Sequence, residues 1–344
     1  MKILQRLRLG CAAALLGLAC LAQAAVTGER LGRRAEVRAF LEEMAQKHGF
    51  PRAALHRWFR DLRSEPRVLA LIAPAADPGV RSWSRYRERY LDTTRIAGGV
   101  RFWRDHAGAL AEAQRRFGVP AEIIVAILGV ETIYGRNTGR FPALAALATL
   151  AFDYPPRAQL FRRELEELLL LAREQGRSPL AFRGSYAGAL GLAQFLPSSY
   201  RRHALDFDGD GRIDLSASPE DAIGSIARFL SDHGWVSGAG IALPARLADE
   251  HARILVDAGI APVLTAADLD AWGVQSEPPL APGESAALID LVTPGEPAEY
   301  WLGLQNFYVL TRYNRSSFYA MTVHQLGREL AAACERKCDG AGSE

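Results

Sequence analysis

Cysteine is scarce in this sequence, with four among 344 residues. Two of them, Cys11 and Cys20, fall in an N-terminal segment with the marks of a removable signal, which leaves Cys334 and Cys338. That pair can oxidise in an oxidising compartment. However, its i, i+4 spacing suits a disulfide only where the helix frays. No His or Cys pair with ligand spacing stands nearby, which argues against a zinc site.

A surplus of charge is missing as well. The first 24 residues carry Lys2, Arg6 and Arg8 and no acid; beyond them 38 basic residues face 39 acidic ones. Such a balance gives no electrostatic footprint for nucleic acid, so no nucleic-acid partner is expected. No apolar run after the first is long enough to span a membrane, and no unit of 20–50 residues recurs. There is no G-x-S-x-G elbow and no histidine with an evident role as its base, which argues against a nucleophilic serine.

What is present begins with export. The basic start runs into the apolar stretch Cys11 to Leu21 and ends at Ala22-Gln23-Ala24, a small-residue cleavage site. The apolar run falls short of the roughly 20 residues a membrane span needs. The expectation is a signal peptide at 1–24 and a periplasmic protein. Gly17-Leu18-Ala19-Cys20 also has the form of a loose lipoprotein box, although Gly17 sits where such boxes prefer a larger aliphatic residue. Lipidation of Cys20, and with it an outer-membrane anchor, stays open. The 49% hydrophobic and 23% charged composition of the full sequence is that of a soluble globular chain.

Helical periodicity marks residues 35–48, 52–72 (one or two helices), 99–117, 121–134, 157–175 and 221–233, with a Pro/Gly break at 74–79. Between 238 and 305 periodicity weakens, Pro and Gly multiply, and runs such as Ala287 to Val292 read as strands. Helix returns at 306–334. The expected organisation is an N-terminal helical part at 25–98 and a mainly helical core at 99–237. A small β-containing subdomain at 238–305 and a C-terminal helical segment at 306–344 follow. The fold class is α+β, mainly helical.

Glu131 stands out. It follows Ile124, Ile127 and Leu128 at i, i+3, i+4, i+7, on a stripe that should face the interior. Burial disfavours the anion, so its pKa should rise, as for a glycosidase acid. The competing reading ends the helix at the surface, with Glu131 exposed or paired to Arg136.

Ser185 to Gln194 is dense in small residues. Gly188 and Gly191 permit close backbone approach. Ser185 and Gln194 carry groups that suit sugar hydroxyls or an N-acetyl group, and Phe195 offers a stacking face. A tight helix–helix crossing would use the same small residues.

Asp206-Phe207-Asp208-Gly209-Asp210-Gly211-Arg212 has the D-x-D-x-D-G start of an EF-hand calcium loop. Asp206, Asp208 and Asp210 converge, Gly211 makes the sharp turn, and Arg212 contributes its carbonyl. Ala217 occupies position 12, where a glutamate is usual, so the loop must be longer. Bound Ca²⁺ would be structural, with an affinity on the order of 10⁻⁴–10⁻³ M.

Glu131-Thr132-Ile133-Tyr134-Gly135 and the stretch Ser185 to Pro197 together resemble the B-type lytic murein transglycosylases of glycoside hydrolase family 103. The likeness runs from about residue 36 to the C-terminal helix. It implies a lysozyme-like core with an additional helical part and a small β subdomain, acting on peptidoglycan glycan strands. It also implies that Glu131 is the single catalytic carboxylate, protonating the bond between N-acetylmuramic acid and N-acetylglucosamine. The same group then helps to close a 1,6-anhydro ring.

The resemblance further implies substrate contacts for Ser185, Gln194 and Tyr86. It does the same for Tyr313, Asn314 and Tyr319 in the pattern Y-N-x-S-x-x-Y-A-M, and for Arg157, whose usual arginine neighbour is here Pro156. Family members carry an elongated calcium loop, for which Asp221 is the expected closing ligand. Two alternatives remain. A hydrolytic muramidase needs a second carboxylate, with Asp153 the candidate; a calcium-dependent wall-binding protein needs none.

Overall fold

A computed structural model describes residues 30–74 and 81–340, with backbone alone from 337. The export signal expected at 1–24, Cys20 and the side chain of Cys338 lie outside the described residues. The helices are α1 Ala35–His48, α2 Arg52–Phe59, α3 Pro66–Ile72, α4 Trp83–Tyr90, α5 Thr93–Asp105, α6 Ala107–Phe117 and α7 Ala121–Thr132. They continue as α8 Ala143–Asp153, α9 Ala158–Glu174, α10 Pro197–His203, α11 Pro219–Asp232, α12 Ala266–Ala271, α13 Gln305–Tyr313 and α14 Ser317–Gly340. The strands are β1 Phe141–Pro142, β2 Arg183–Gly184, β3 Ala242–Leu247, β4 Leu264–Thr265, β5 Val274–Ser276, β6 Ser285–Leu291 and β7 Glu299–Gly303. This is the mainly helical α+β class expected.

Several boundaries differ from the periodicity, each for a local reason. The run at 99–117 is two helices, because His106 leaves the helical region at φ −120° and caps both. The C-terminal run breaks at Asn314, whose extended backbone ends α13. α11 starts earlier than expected, at Pro219, after Ser218 accepts the Asp221 N–H as its N-cap.

The chain forms two compact units. The first comprises residues up to 73 with 139–190 and 195–201. Its core contains an aromatic cluster, in which Phe40 packs edge-on against Phe152 at 6.0 Å and tilted against Phe59 at 6.3 Å. α8, of sequence ALAALATLAFD, is buried along nine of its eleven residues, as an apolar helix without a polar face must be. Inside this unit Arg34 Nη1 meets Asp153 Oδ1 at 2.5 Å, with the Asp153 side chain 5% exposed. Asp153 is thus held in an ion pair. A carboxylate meant to activate water would need to be open to it, so the structure removes the candidate on which the hydrolytic alternative rested.

The second unit comprises residues 74–138, 191–194 and 202 onward. α7 is buried nearly all round, with ten of its twelve residues inside. The antiparallel sheet runs in the order β4-β6-β7-β3-β5. One of its faces closes over Leu243, Leu247, Ala286, Leu288, Leu302 and Leu304. Among the described residues no helix is long and apolar enough to cross a membrane.

Candidate active site

The site is built on the C-terminal end of α7. Because α7 is enclosed rather than merely facing a core, Glu131 in its last turn is surrounded by protein while retaining some accessible surface. Burial pushes its carboxyl pKa up to about 7, and a hydrogen bond from the Tyr319 hydroxyl to Oε1 at 2.8 Å acts the other way. No guanidinium pairs with it among the described residues, so the pairing with Arg136 does not occur.

Beyond Glu131 the chain turns through three consecutive left-handed residues, Ile133 (φ 53°), Tyr134 (φ 57°) and Gly135 (φ 86°). For a β-branched residue this conformation is strained, and such strain persists only where surroundings enforce it. They do. The Thr132 hydroxyl oxygen accepts the Gly135 N–H at 3.0 Å. The Tyr134 hydroxyl donates to the Arg95 carbonyl at 2.9 Å, and Arg95 Nε donates to the Gly129 carbonyl at 3.0 Å. The Tyr134 ring lies so close to α5 and α7 that a Cβ at Gly99 or Gly129 would stand 2.4 or 2.5 Å from its hydroxyl. Sequence reasoning missed this lock. The adjacent glycines inside an otherwise helical run at 98–99 were the available signal.

Residues 191–194 are fastened to the same helix end. The Leu192 carbonyl accepts from the Thr132 hydroxyl at 3.2 Å, and its N–H donates to the Leu215 carbonyl at 2.7 Å. Gly191, at φ 68°, approaches Leu215 so closely that a Cβ would stand 2.4 Å from that carbonyl oxygen. Gln194 is itself left-handed at φ 50°, and its side-chain amide donates to the carbonyls of Gly191 (2.9 Å) and Thr138 (3.1 Å). The Ala193 carbonyl accepts from the Tyr313 hydroxyl at 2.5 Å.

Tyr313 and Tyr319 lie near parallel with centroids 6.2 Å apart, and burial raises both phenol pKa values well above 10. They stay neutral donors. Tyr319 is 1% exposed, so its ring is core and only its hydroxyl serves the site. Tyr86 is half-buried, and burial, with smaller contributions that include the charge of Glu131, raises its pKa. Asn314 is exposed at the end of α13. Glu131, Tyr86, Gln194, Tyr313, Asn314 and Tyr319 thus all stand in the second unit.

Ser185, Phe195 and Arg157 belong to the first unit. The Ser185 hydroxyl accepts the Ala189 N–H at 3.1 Å in a tight loop, and Leu190 and Phe195 exchange backbone bonds at 2.8 and 3.1 Å. This is a hairpin-like turn, not a helix crossing. Phe195 is 2% exposed, which corrects the expectation of a stacking face: a ring at that depth has no free face for a sugar. Arg157 is exposed, with its guanidinium 5.2 Å above the Phe161 ring.

The acidic loop gathers as its pattern predicts. Oxygens of Asp206, Asp208 and Asp210 lie within 4.8 Å of one another. Asp206 accepts the N–H groups of Gly209 and Gly211, and Asp208 accepts from the Ser218 hydroxyl at 2.8 Å. Asp221 is not in that cluster. It is 1% exposed, and its two oxygens take the N–H groups of Phe207 and Asp214, each at 2.7 Å, clamping both arms of the loop.

Residues 32–328 match the family model described as Transglycosylase SLT domain. The chain is 42% identical over 303 residues to membrane-bound lytic murein transglycosylase B of Escherichia coli, covering 86% of this chain and 82% of that one. Among solved structures it resembles the soluble lytic transglycosylase SltB1 of Pseudomonas aeruginosa, at 47% identity and TM-score 0.81, covering 87% of this chain and 99% of that one. It also resembles the Escherichia coli lytic transglycosylase in complex with calcium, at 40% identity and TM-score 0.78, covering 88% and 94%.

Proposed function

The chain belongs to the lytic murein transglycosylase B family, and on that premise we propose that Glu131 alone supplies both the acid and the base that cleave peptidoglycan. The enzyme breaks the β-1,4 bond between N-acetylmuramic acid and N-acetylglucosamine and leaves 1,6-anhydromuramic acid ends. The observation that carries the role of Glu131 is its enclosed carboxyl with a pKa near 7 and a Tyr319 hydroxyl on one oxygen.

The steps follow from that geometry. Protonated Glu131 gives its proton to the glycosidic oxygen, and the C1–O bond breaks with N-acetylglucosamine leaving as the alcohol. Positive charge develops at C1 while the carboxylate forms. Tyr319 holds that anion by hydrogen bonding and burial opposes it, so either protonation state is accessible near neutrality. The carboxylate then takes the proton of the muramic acid C6 hydroxyl as its oxygen attacks C1. Glu131 ends protonated, and no water enters the product. One carboxylate suffices, whereas hydrolysis through two would require a second acid.

We assign Tyr86, Gln194, Tyr313 and Asn314 to the substrate side of this site. For Ser185 and Arg157, in the other unit, substrate contact rests on resemblance alone. Digestion of sacculi in ¹⁸O-labelled water tests the reading: anhydro ends without label are expected, and labelled reducing ends would reject it.

The acidic loop fits calcium by its donor set, three converging carboxylates with open glycine turns at Gly209 and Gly211. Asp206, Asp208, Asp210 and the Arg212 carbonyl would hold the ion. Asp221 would shape the loop and, through the remaining lone pairs of its carboxylate, is available as a further ligand. The role is structural. The enzyme's substrate lies outside the cytoplasm, in keeping with the export signal expected at 1–24.

A further inference from the structure

A cavity of about 390 Å³ lies against α4, lined by Arg81, Ser82, Arg85, Tyr86, Arg89, Ser316 and Phe318. Arg85 and Arg89, one turn apart on α4, line it together with Arg81, which precedes the extended N-cap Ser82. None of the three pairs with a carboxylate among the described residues. Glu88, the one acid on α4, does not line it. Arg81 is held over the Phe318 ring at 5.7 Å, and Tyr86 packs edge-on against the same ring at 5.6 Å. The contrast within the molecule is informative. A second arginine-lined cavity, at Arg30, Arg33, Arg57 and Arg60, has Asp61 paired with Arg30 at 3.4 Å and with Arg60 at 3.2 Å. Arg81, Arg85 and Arg89 thus have no such acidic partner among the described residues.

The location of these arginines gives them a use. The walls of the cavity are α4 and the residues that open α14, the two elements that present Tyr86 and Tyr319 toward Glu131. Resting on the reading of Glu131 given above, we propose that Arg81, Arg85 and Arg89 form a subsite for the carboxylates of the stem peptide carried by muramic acid, so that the enzyme prefers peptide-bearing strands to stripped ones. A sugar engaged at Glu131 carries its peptide on the lactyl group. Those peptide carboxylates are anionic at neutral pH, and arginine forks match them geometrically.

The test compares intact sacculi with sacculi stripped of peptides by an amidase, using the full-length enzyme. For the Arg85→Gln/Arg89→Gln variant, KM on intact sacculi should rise on the order of threefold to tenfold relative to its change on stripped sacculi, with kcat little altered. The preference should also shrink in wild type as salt increases. Arg85→Lys/Arg89→Lys, which keeps the charge, should retain most of the preference, and equal melting temperatures exclude a folding defect. Equal KM changes on both substrates would overturn the proposal. So would an unchanged KM combined with lost binding to phosphatidylglycerol vesicles, which would mark the three arginines as a lipid-facing patch. Co-sedimentation with the two kinds of sacculi reads the preference without turnover. A fault in the role of Glu131 therefore shows separately, as missing anhydro ends with the preference intact.

Discussion

Replacing Glu131 with Gln is expected to reduce release of anhydro-muropeptides by at least about 10³-fold while making the protein more stable above pH 7. The first effect follows because one side chain serves as acid and then as base, each role contributing roughly 10²–10⁴-fold. The amide keeps the shape and can still accept the Tyr319 hydrogen bond, so the loss reports chemistry and not collapse. The second effect follows from the sign of the shift. The folded carboxyl titrates near 7 and an ordinary glutamate near 4.5, so between those values the folded state binds more protons than the unfolded one. Wild-type stability therefore falls as pH rises from 4.5 to 7, by up to roughly 3 kcal/mol. The Gln variant escapes that loss. Thermal melts at pH 4 and pH 8 should show the two proteins close together at the lower value and the variant ahead at the higher. A variant that melts earlier at pH 8 would contradict the stability argument, and one that still releases anhydro ends would contradict the catalytic one.

Calcium carries the second large expectation. Three carboxylates within 4.8 Å repel one another, and an ion that binds only the folded loop stabilises by mass action. At 10 mM calcium and an affinity on the order of 10⁻⁴–10⁻³ M, the gain is roughly 1.4–2.7 kcal/mol, visible as a raised melting temperature that a chelator reverses. Asp208→Ala should lose the calcium response. It should cost little otherwise, since the partners of Asp208 are the exposed Asp210 N–H and the Ser218 hydroxyl. Asp221→Ala should behave differently, because its carboxylate is buried and satisfies two backbone N–H groups. Leaving those groups without partners costs about 1–3 kcal/mol each, with or without metal. No calcium shift in wild type, or an Asp208→Ala variant that responds normally, would refute the site.

The sequence carried the acid, the loop and the class of fold, for identifiable reasons. Glu131 was legible because an ionisable group among aliphatic residues is informative at any depth. Its stripe, however, proved to be part of a helix buried on nearly every side, which periodicity cannot distinguish from a buried face. The acidic loop was legible because its ligands are close in sequence.

Tyr319 was legible only as a member of an aromatic wall. Its hydrogen bond to a carboxylate 188 positions away is a product of tertiary packing. The clasp of Tyr134 on Gly98, Gly99 and Gly129 was hidden for the same reason. Phe195 was misread because an aromatic beside small residues looks the same whether it faces a cleft or closes a hairpin.

Everything assigned to Glu131 depends on its carboxyl being half-protonated near neutral pH, and that quantity can be measured directly. Infrared difference spectra between wild type and Glu131→Gln, recorded from pH 4 to pH 9, isolate the stretch of this one carboxyl group. The account predicts that it titrates at about pH 7. Titration in the folded enzyme near 4.5, the value of an ordinary exposed glutamate, would contradict it.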